Sequence, residues 1–235
     1  MPAPDSADQT HHLLMQGGWF AGLPSTAQEH LIQHGQVLTL AHRQPLFARG
    51  DRCDGIYAVL TGAVLVQNTS ADGRESLVAL ITPPNWLGEI SVIDEGPRTH
   101  GASARGPARV LWVPRLALNE WLEQDPEGWR YLARLLTHKM RVLMRKLEDL
   151  ALHPAPTRLA RELLDLAHHY GTRPTGDGPV PIWLNQEELA AMLSLTRQTV
   201  SELLANLQRQ GVVQRRYGGI EVLDLGRLKA LAQDD

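Results

Sequence analysis

Between residues 35 and 115 short apolar runs alternate with glycine, proline and aspartate. The runs are Gln36–Leu40, Leu46–Ala48, Gly55–Leu60, Ala63–Val66, Leu77–Ile81, His100–Ala104 and Arg109–Val113. Turn residues separate them at Gly50-Asp51, Thr61-Gly62, Ala71-Asp72-Gly73 and Pro83-Pro84. Many short strands at this spacing predict an antiparallel barrel or jelly roll. Before them, residues 13–34 predict short helices, the second capped by Ser25 or Thr26, and the polar residues 1–12 predict a disordered start. After them the period changes. Leu116–Glu123 predicts a short helix, and Asp125-Pro126 opens a long one. Along it Trp129, Ala133, Leu136, Met140, Leu143, Leu147 and Leu150 recur at alternating steps of four and three. That spacing lays them on one seam with a seven-residue period. The seam is flanked by Arg134, Lys139, Arg141, Arg145, Lys146, Glu148 and Asp149, which predicts a two-stranded contact between copies of the chain. Leu132, Leu135 and Met144 lie off the seam and suit packing on the chain's own barrel.

His153-Pro154-Ala155-Pro156 breaks the long helix and predicts an interdomain hinge at residues 153–156. A helix over 157–170 carries Leu159, Leu163, Leu164 and Leu166 and ends at Gly171. A Gly/Pro-rich loop, Thr172–Pro181, follows. Residues 185–210 then predict two short helices around a tight turn. Asn185 caps the first, with Glu188 as the return half of a capping box. The apolar set Leu189, Leu193, Leu195, Val200 and Leu203 gives each helix one buried face, and Ser194 stands at the turn where glycine is usual. Thr196 caps the second helix, whose outer face carries Arg197, Gln198, Ser201 and Glu202.

Hydrogen-bonding side chains near the N-terminus of such a helix are the chemistry that reads base edges in a major groove. The pair reads as a helix-turn-helix and implies sequence-specific binding of double-stranded DNA. Beyond it, two strand-like runs flank Gly218-Gly219 and predict a hairpin with Arg215, Arg216 and Tyr217 at its tip. Such a hairpin resembles a wing, whose arginines contact phosphates and contribute affinity and position.

Composition narrows the picture. The 235 residues suffice for two domains, and a 43% apolar content suffices for ordinary cores. Net charge is −3, and residues 155–235 carry nine Lys/Arg against ten Asp/Glu. DNA affinity therefore rests on a local basic patch, with Glu162, Asp165, Asp224, Asp234 and Asp235 turned away. The single cysteine, Cys53, cannot build a disulfide within the chain, an iron–sulfur cluster or a zinc finger. With no leader and no apolar run of membrane length, the reading is a reduced, cytoplasmic setting and no membrane.

Taken in order, these elements resemble the CRP/FNR family of bacterial transcription regulators over roughly residues 15–230. Leu46-Phe-Ala-Arg-Gly-Asp and Gly55-Ile-Tyr-Ala-Val-Leu-Thr-Gly62 resemble the family's barrel signature. Leu87-Gly88-Glu89-Ile90-Ser91 with Pro97-Arg98-Thr99 is similar to the phosphate-binding cassette of cyclic-nucleotide domains. Its chemistry is legible directly. Gly88 lets backbone approach an anion, and the short helix beginning at Ile90 offers N–H groups. Arg98 supplies a planar cationic fork and Thr99 a hydroxyl, while ionised Glu89 accepts a hydrogen bond. The resemblance implies that Arg98 and Thr99 hold a phosphate and Glu89 a ribose hydroxyl; the alternative is a ligand-free Glu89–Arg98 ion pair. It also implies that the long helix faces the purine, where Leu143 and Met144 stand in place of the hydroxyls of cyclic-AMP-responsive members. The effector expected is therefore another cyclic nucleotide, such as cyclic GMP, or a cyclic dinucleotide; a different anion or a vestigial pocket are the alternatives. At the DNA, Arg197 matches the arginine expected to read guanine, while Gln198 and Glu202 depart from the usual residues, so the operator differs.

The resulting fold class is α+β. An antiparallel β-roll or jelly-roll effector barrel (13–115) leads into a dimerisation helix (116–152), a hinge (153–156) and a winged helix-turn-helix (157–235). The function is a homodimeric regulator on a pseudo-palindromic site, for which the resemblance implies RNA polymerase as a further partner. No enzymatic activity, metal site or definite cofactor is assigned. A haem sensor would have to use His100; a cupin-type metal oxygenase lacks a His-x-His; a Ser/His/Asp hydrolase lacks its Gly-x-Ser-x-Gly elbow. A nucleotide-binding subunit acting on protein partners would leave the helix-turn-helix unexplained.

Overall fold

The computed structural model describes residues 7–69, 75–169 and 178–233. The chain divides into two compact units, residues 1–69 with 78–141, and residues 70–77 with 142–235. The predicted turn at Ala71-Asp72-Gly73, the helix end at Gly171 and most of the Thr172–Pro181 loop lie outside the described residues.

Three helices open the first unit: α1 (Ala7–Leu14), α2 (Gly18–Ala21) and α3 (Ser25–Gln33). Residues 7–12 were expected to be disordered and are instead helical, because α1 has something to dock on. Leu14 and Thr10 are buried, and the His11 ring lies within hydrogen-bond distance of Gln28 on α3. Residue 25 is the first of α3, not its cap. Pro24 holds the cap position without a side-chain bond, and the α3 entry needs no hydroxyl.

Six strands follow: β1 (Gln36–Leu40), β2 (Pro45–Phe47), β3 (Gly55–Thr69), β4 (Glu75–Ile81), β5 (Trp86–Leu87) and β6 (Gly101–Pro114). They form one antiparallel sheet in the order β1-β6-β3-β4, with β2 on β6 and β5 on β3. The runs expected as separate strands before and after Gly62 are one bent strand, and those on either side of Gly106 are another. Register shifts sit between Val59 and Ala63, and Gly62 and Gly106 both take positive φ. A Cβ at Gly62 would meet the Pro107 carbonyl at 2.4 Å, so the bend is reserved for glycine.

Alternation along β3 divides the interior into two faces. Ile56, Ala58 and Leu60 join Leu14, Phe20, Leu31, Leu118 and Trp121 under the helices. Tyr57, Val59 and Val64 join Leu40, Leu87, Ala104 and Val110 on the opposite face. Helix α4 (Ile90–Ile93) follows β5, and α5 (Arg115–Gln124) follows β6.

The long helix α6 (Gly128–Leu152) has two distinct sides. Leu132 and Leu135 are buried in the first core, as their off-seam positions predicted. Met144, expected to pack likewise, is exposed. The seam residues Trp129, Met140, Leu143, Leu147 and Leu150 are also exposed among the described residues.

In the second unit the last turns of α6 are clamped to α7 (Ala155–His169). Lys146 Nζ meets Glu162 at 2.9 Å, and Arg161 Nη1 meets Asp149 Oδ1 at 2.5 Å. These pairs lie within the second unit, in which the expected hinge, 153–156, also falls. The helical break there is shorter than expected, since Pro156 falls in the first turn of α7, where no N–H is missed.

Helix α8 (Gln186–Leu193) and helix α9 (Arg197–Arg209) form the helix-turn-helix. Ser194 takes the left-handed conformation, φ 54°, that glycine would adopt without strain. Asn185 Oδ1 accepts from the Glu187 and Glu188 amides, and Glu188 returns a bond to the Asn185 amide at 2.7 Å. Val200, Leu204 and Leu207 form the buried stripe of α9, while Leu203 is half-buried. Strands β8 (Val213–Arg216) and β9 (Gly219–Val222) make the expected wing, but its turn is Tyr217-Gly218 and not Gly218-Gly219, because Gly219 already pairs with Arg216. A third strand, β7 (Val180–Ile182), pairs with β9 from within the predicted loop, burying Val180 and Ile182. Helix α10 (Leu225–Gln233), which the sequence reading missed, packs on α7.

Replacing Asn185 with alanine removes the one acceptor that serves two backbone amides, and with it one half of the capping box. The expected loss is about 1 kcal/mol in stability of the second unit, measurable by urea denaturation.

Candidate functional site: a barrel cassette and a DNA-reading face

Strand β5 ends at Leu87 and delivers Gly88 with φ +97°. A Cβ at that position would lie 2.7 Å from Arg98 Nη1, so the backbone and the guanidinium approach as closely as glycine alone allows. Arg98 is 2% exposed. Its Nη1 donates to the Gly88 carbonyl at 2.9 Å and its Nη2 to the Gly55 carbonyl at 2.7 Å. Nη2 also forms an ion pair with Asp54. The guanidinium carbon lies 4.2 Å from the centre of the Phe47 ring, a cation–π contact. The Arg98 backbone is anchored too, with its N–H on Asp51 and its carbonyl accepting from Gly50. Arg98 Nε, although buried, has no partner among the described residues.

Asp54 accepts from two donors, since the Tyr57 hydroxyl also donates a hydrogen bond to it. Burial above all, then the bond to the Asp54 carboxylate, pushes the Tyr57 phenol far above its ordinary range, so it remains a donor.

Glu89 is 1% exposed and makes no pair with Arg98. Its partner is Lys139 of α6, with Nζ 2.6 Å from Oε2. The Glu89–Arg98 ion pair weighed from sequence is replaced by two separate pairs, because each charge finds a nearer partner on another element. Asp54 and Lys139 are the residues the sequence reading missed. Asp54 stands 44 residues from Arg98 and Lys139 stands 50 from Glu89, separations with no local signature.

The other expected residues are more open. Ile90 begins α4 and is exposed. That helix is too short to offer a row of amides, and the Val92 and Ile93 N–H groups already return to the Glu89 carbonyl. Thr99 is exposed, its hydroxyl 3.0 Å from His100 Nδ1. Burial, then the charge of Arg49, lowers the His100 pKa, which keeps its ring neutral near pH 7. Leu143 and Met144 are exposed positions of α6.

On α9, Arg197 and Gln198 are exposed and Ser201 is half-buried. Gln198 donates to Glu202 at 3.0 Å, so these two present themselves as a joined pair. Thr196 is engaged as the helix cap, its hydroxyl accepting from the Thr199 amide at 3.1 Å. Arg215 is tied to α9 through Gln208 Oε1, by its backbone at 3.1 Å and its Nε at 3.2 Å. Arg216 is held by Glu221 at 2.9 Å within the wing, and Tyr217 stands fully exposed at the tip. Arg215 therefore carries the wing's uncompensated charge, and Arg216 is partly neutralised.

The Lys139–Glu89 pair generates a stability prediction. Lys139→Met strands a buried carboxylate and should cost about 2–3 kcal/mol, below the full buried-pair range because the lysine is 33% exposed. Combining it with Glu89→Gln should recover more than half of that loss. Chemical denaturation of the two single variants and the double variant measures the coupling.

The family model for a cyclic nucleotide-binding domain matches residues 37–125, and that for a Crp-like helix-turn-helix domain matches residues 157–231. A CRP-like cAMP-activated global transcriptional regulator of Mycobacterium tuberculosis is 31% identical over 94% of this chain and 99% of its own. A cyclic AMP receptor protein of Thermus thermophilus is 30% identical over 91% of this chain and 95% of its own. Among solved structures, a CRP/FNR-family transcriptional regulator from Thermus thermophilus superposes with a TM-score of 0.69 at 27% identity, covering 85% of this chain and 99% of that one.

Proposed function

Since the chain belongs to the CRP/FNR family of transcriptional regulators, we propose that its barrel is switched by a cyclic nucleotide whose phosphate competes with Asp54 for Arg98. The observation that carries this reading is the buried guanidinium with one N–H still unpartnered, set against a glycine that admits no side chain. A donor left unmet in a dry site costs stability, and a phosphate with several acceptor oxygens relieves it. Asp54 is 44% exposed, so it can swing into water when the phosphate arrives. On the same reading a ribose hydroxyl takes the place of Lys139 on Glu89. The ligand biases the protein only by the difference in affinity between its two states, and releasing two intrachain ion pairs supplies a structural difference for it to act on.

The output is DNA binding through α9. Arg197 is the base-reading cation, the Gln198–Glu202 pair sets the departure from other operators, and Arg215 makes a phosphate contact. The exposed seam of α6 supports a homodimer, since a soluble chain rarely leaves so regular an apolar stripe open. A dimer would set two recognition helices about 34 Å apart on a pseudo-palindromic site. Among the described residues no helix is long and apolar enough to cross a membrane. Activity as a regulator and not an enzyme follows the family, and RNA polymerase is its natural further partner.

Calorimetry with cyclic AMP, cyclic GMP and cyclic di-GMP tests the effector. At least one should bind wild type, with affinity about 10–100-fold weaker in Arg98→Ala and several-fold tighter in Asp54→Asn. Absence of heat from all three, or an Arg98→Ala variant that binds as wild type does, overturns the reading. For the DNA contact, Arg197→Ala should cost about 1–3 kcal/mol on the cognate site and leave affinity for random duplex unchanged, as read by gel shift.

A further inference from the structure

Away from the cassette, α3 and α5 bring together two imidazoles and a carboxylate. One ligand atom from each of His30, His34 and Glu120 lies within 4.8 Å of the other two. His30 lies in the last turn of α3 and His34 four residues on at its C-cap, which sets them on one side of the helix end, and their rings stack with centroids 4.1 Å apart. Glu120 comes from α5, which packs against α3.

Two further bonds determine which nitrogens are available. His30 Nε2 lies 2.8 Å from the Ala117 carbonyl, and His34 Nδ1 lies 2.9 Å from the His30 carbonyl. A carbonyl can only accept, so each of these nitrogens carries the proton. In the neutral rings the lone pairs are then left on His30 Nδ1 and His34 Nε2. A metal-ligating histidine is typically oriented this way, one nitrogen donating to a carbonyl and the other left basic.

We infer that His30, His34 and Glu120 form a binding site for a divalent transition-metal ion of the zinc type, cross-linking α3 to α5. Two imidazoles and a carboxylate suit such an ion and are a poor set for calcium or magnesium, which take oxygen ligands. Metal–ligand lengths of about 2.0–2.1 Å at a tetrahedral centre put neighbouring ligand atoms about 3.3 Å apart. Turning of the exposed Glu120 side chain toward the imidazoles, with small ring shifts that keep both carbonyl bonds, brings the ligand atoms together. Three protein ligands leave the fourth position to water. The bond from His30 to Ala117 already ties α3 to α5, and the ion would reinforce that joint through a second, charged link. No metal site was assigned from the sequence, because Glu120 is remote from the histidine pair and no local motif joins them.

The test uses the full-length protein, freed of metal with a chelator. Zinc is titrated in competition with a chromophoric chelator, and cobalt(II) replaces it for visible spectroscopy. The variants are His34→Ala, Glu120→Gln and, as a control on another helix, His12→Ala. His30 is left intact because its bond to Ala117 also holds the helices together. One ion per chain is expected, with a four-coordinate cobalt spectrum. Affinity should fall at least about tenfold in His34→Ala and in Glu120→Gln and be unchanged in His12→Ala. Zinc should raise the melting temperature of wild type and not of Glu120→Gln, with circular dichroism verifying that each variant is folded. No zinc binding by wild type, equal affinity in all four proteins, or loss confined to His12→Ala overturns the site.

Discussion

A positive charge held inside a β-roll needs negative charge brought to it, and Arg98 imposes that requirement on the first unit. The guanidinium is sealed among Gly88, Gly55, Phe47 and Asp54. Each contact restricts the sequence in its own way. Gly88 can bear no Cβ, Phe47 must present a ring face, and Asp54 must stay at the rim where water tempers its desolvation. One N–H remains unmatched. Removing a partner from such a charge costs more than the pair contributes, so the site is stable only while some anion occupies it. In this structure that anion is Asp54.

The second buried charge is handled differently. Glu89 is matched by Lys139, which comes from the long helix and not from the sheet. This pair joins the cassette to α6, the element whose exposed seam is the candidate dimer contact. Helix α6 thus bears three kinds of surface: Leu132 and Leu135 in the core, Lys139 on the cassette, and a stripe of open apolar residues.

Local signals proved reliable where the physics is local. The capping box at Asn185 and Glu188, the left-handed turn at Ser194 and the hairpin turn at Gly218 involve neighbours within a few residues, and all were legible. The heptad seam of α6 was legible for the same reason, since its period is written along one element. Signals failed where a distant partner supplies the stability. The α1 segment reads as polar, yet docks through Leu14 and His11. Strand β7 sits in a Gly/Pro-rich stretch and exists because β9 offers it an edge. The bent strands β3 and β6 read as broken because Gly62 and Gly106 look like ends of strands when no partner is visible.

By itself, then, the sequence determined most of the helices and strands, the caps and turns of the helix-turn-helix and the residue types of the cassette, because periodicity, capping and turn chemistry act over a few residues. Only the tertiary structure decided which charges meet. Asp54 and Lys139 reach Arg98 and Glu89 across 44 and 50 residues, and Glu120 reaches the α3 histidines from another helix. A Coulombic partner is chosen by distance in space, and distance in space is a property of the folded chain.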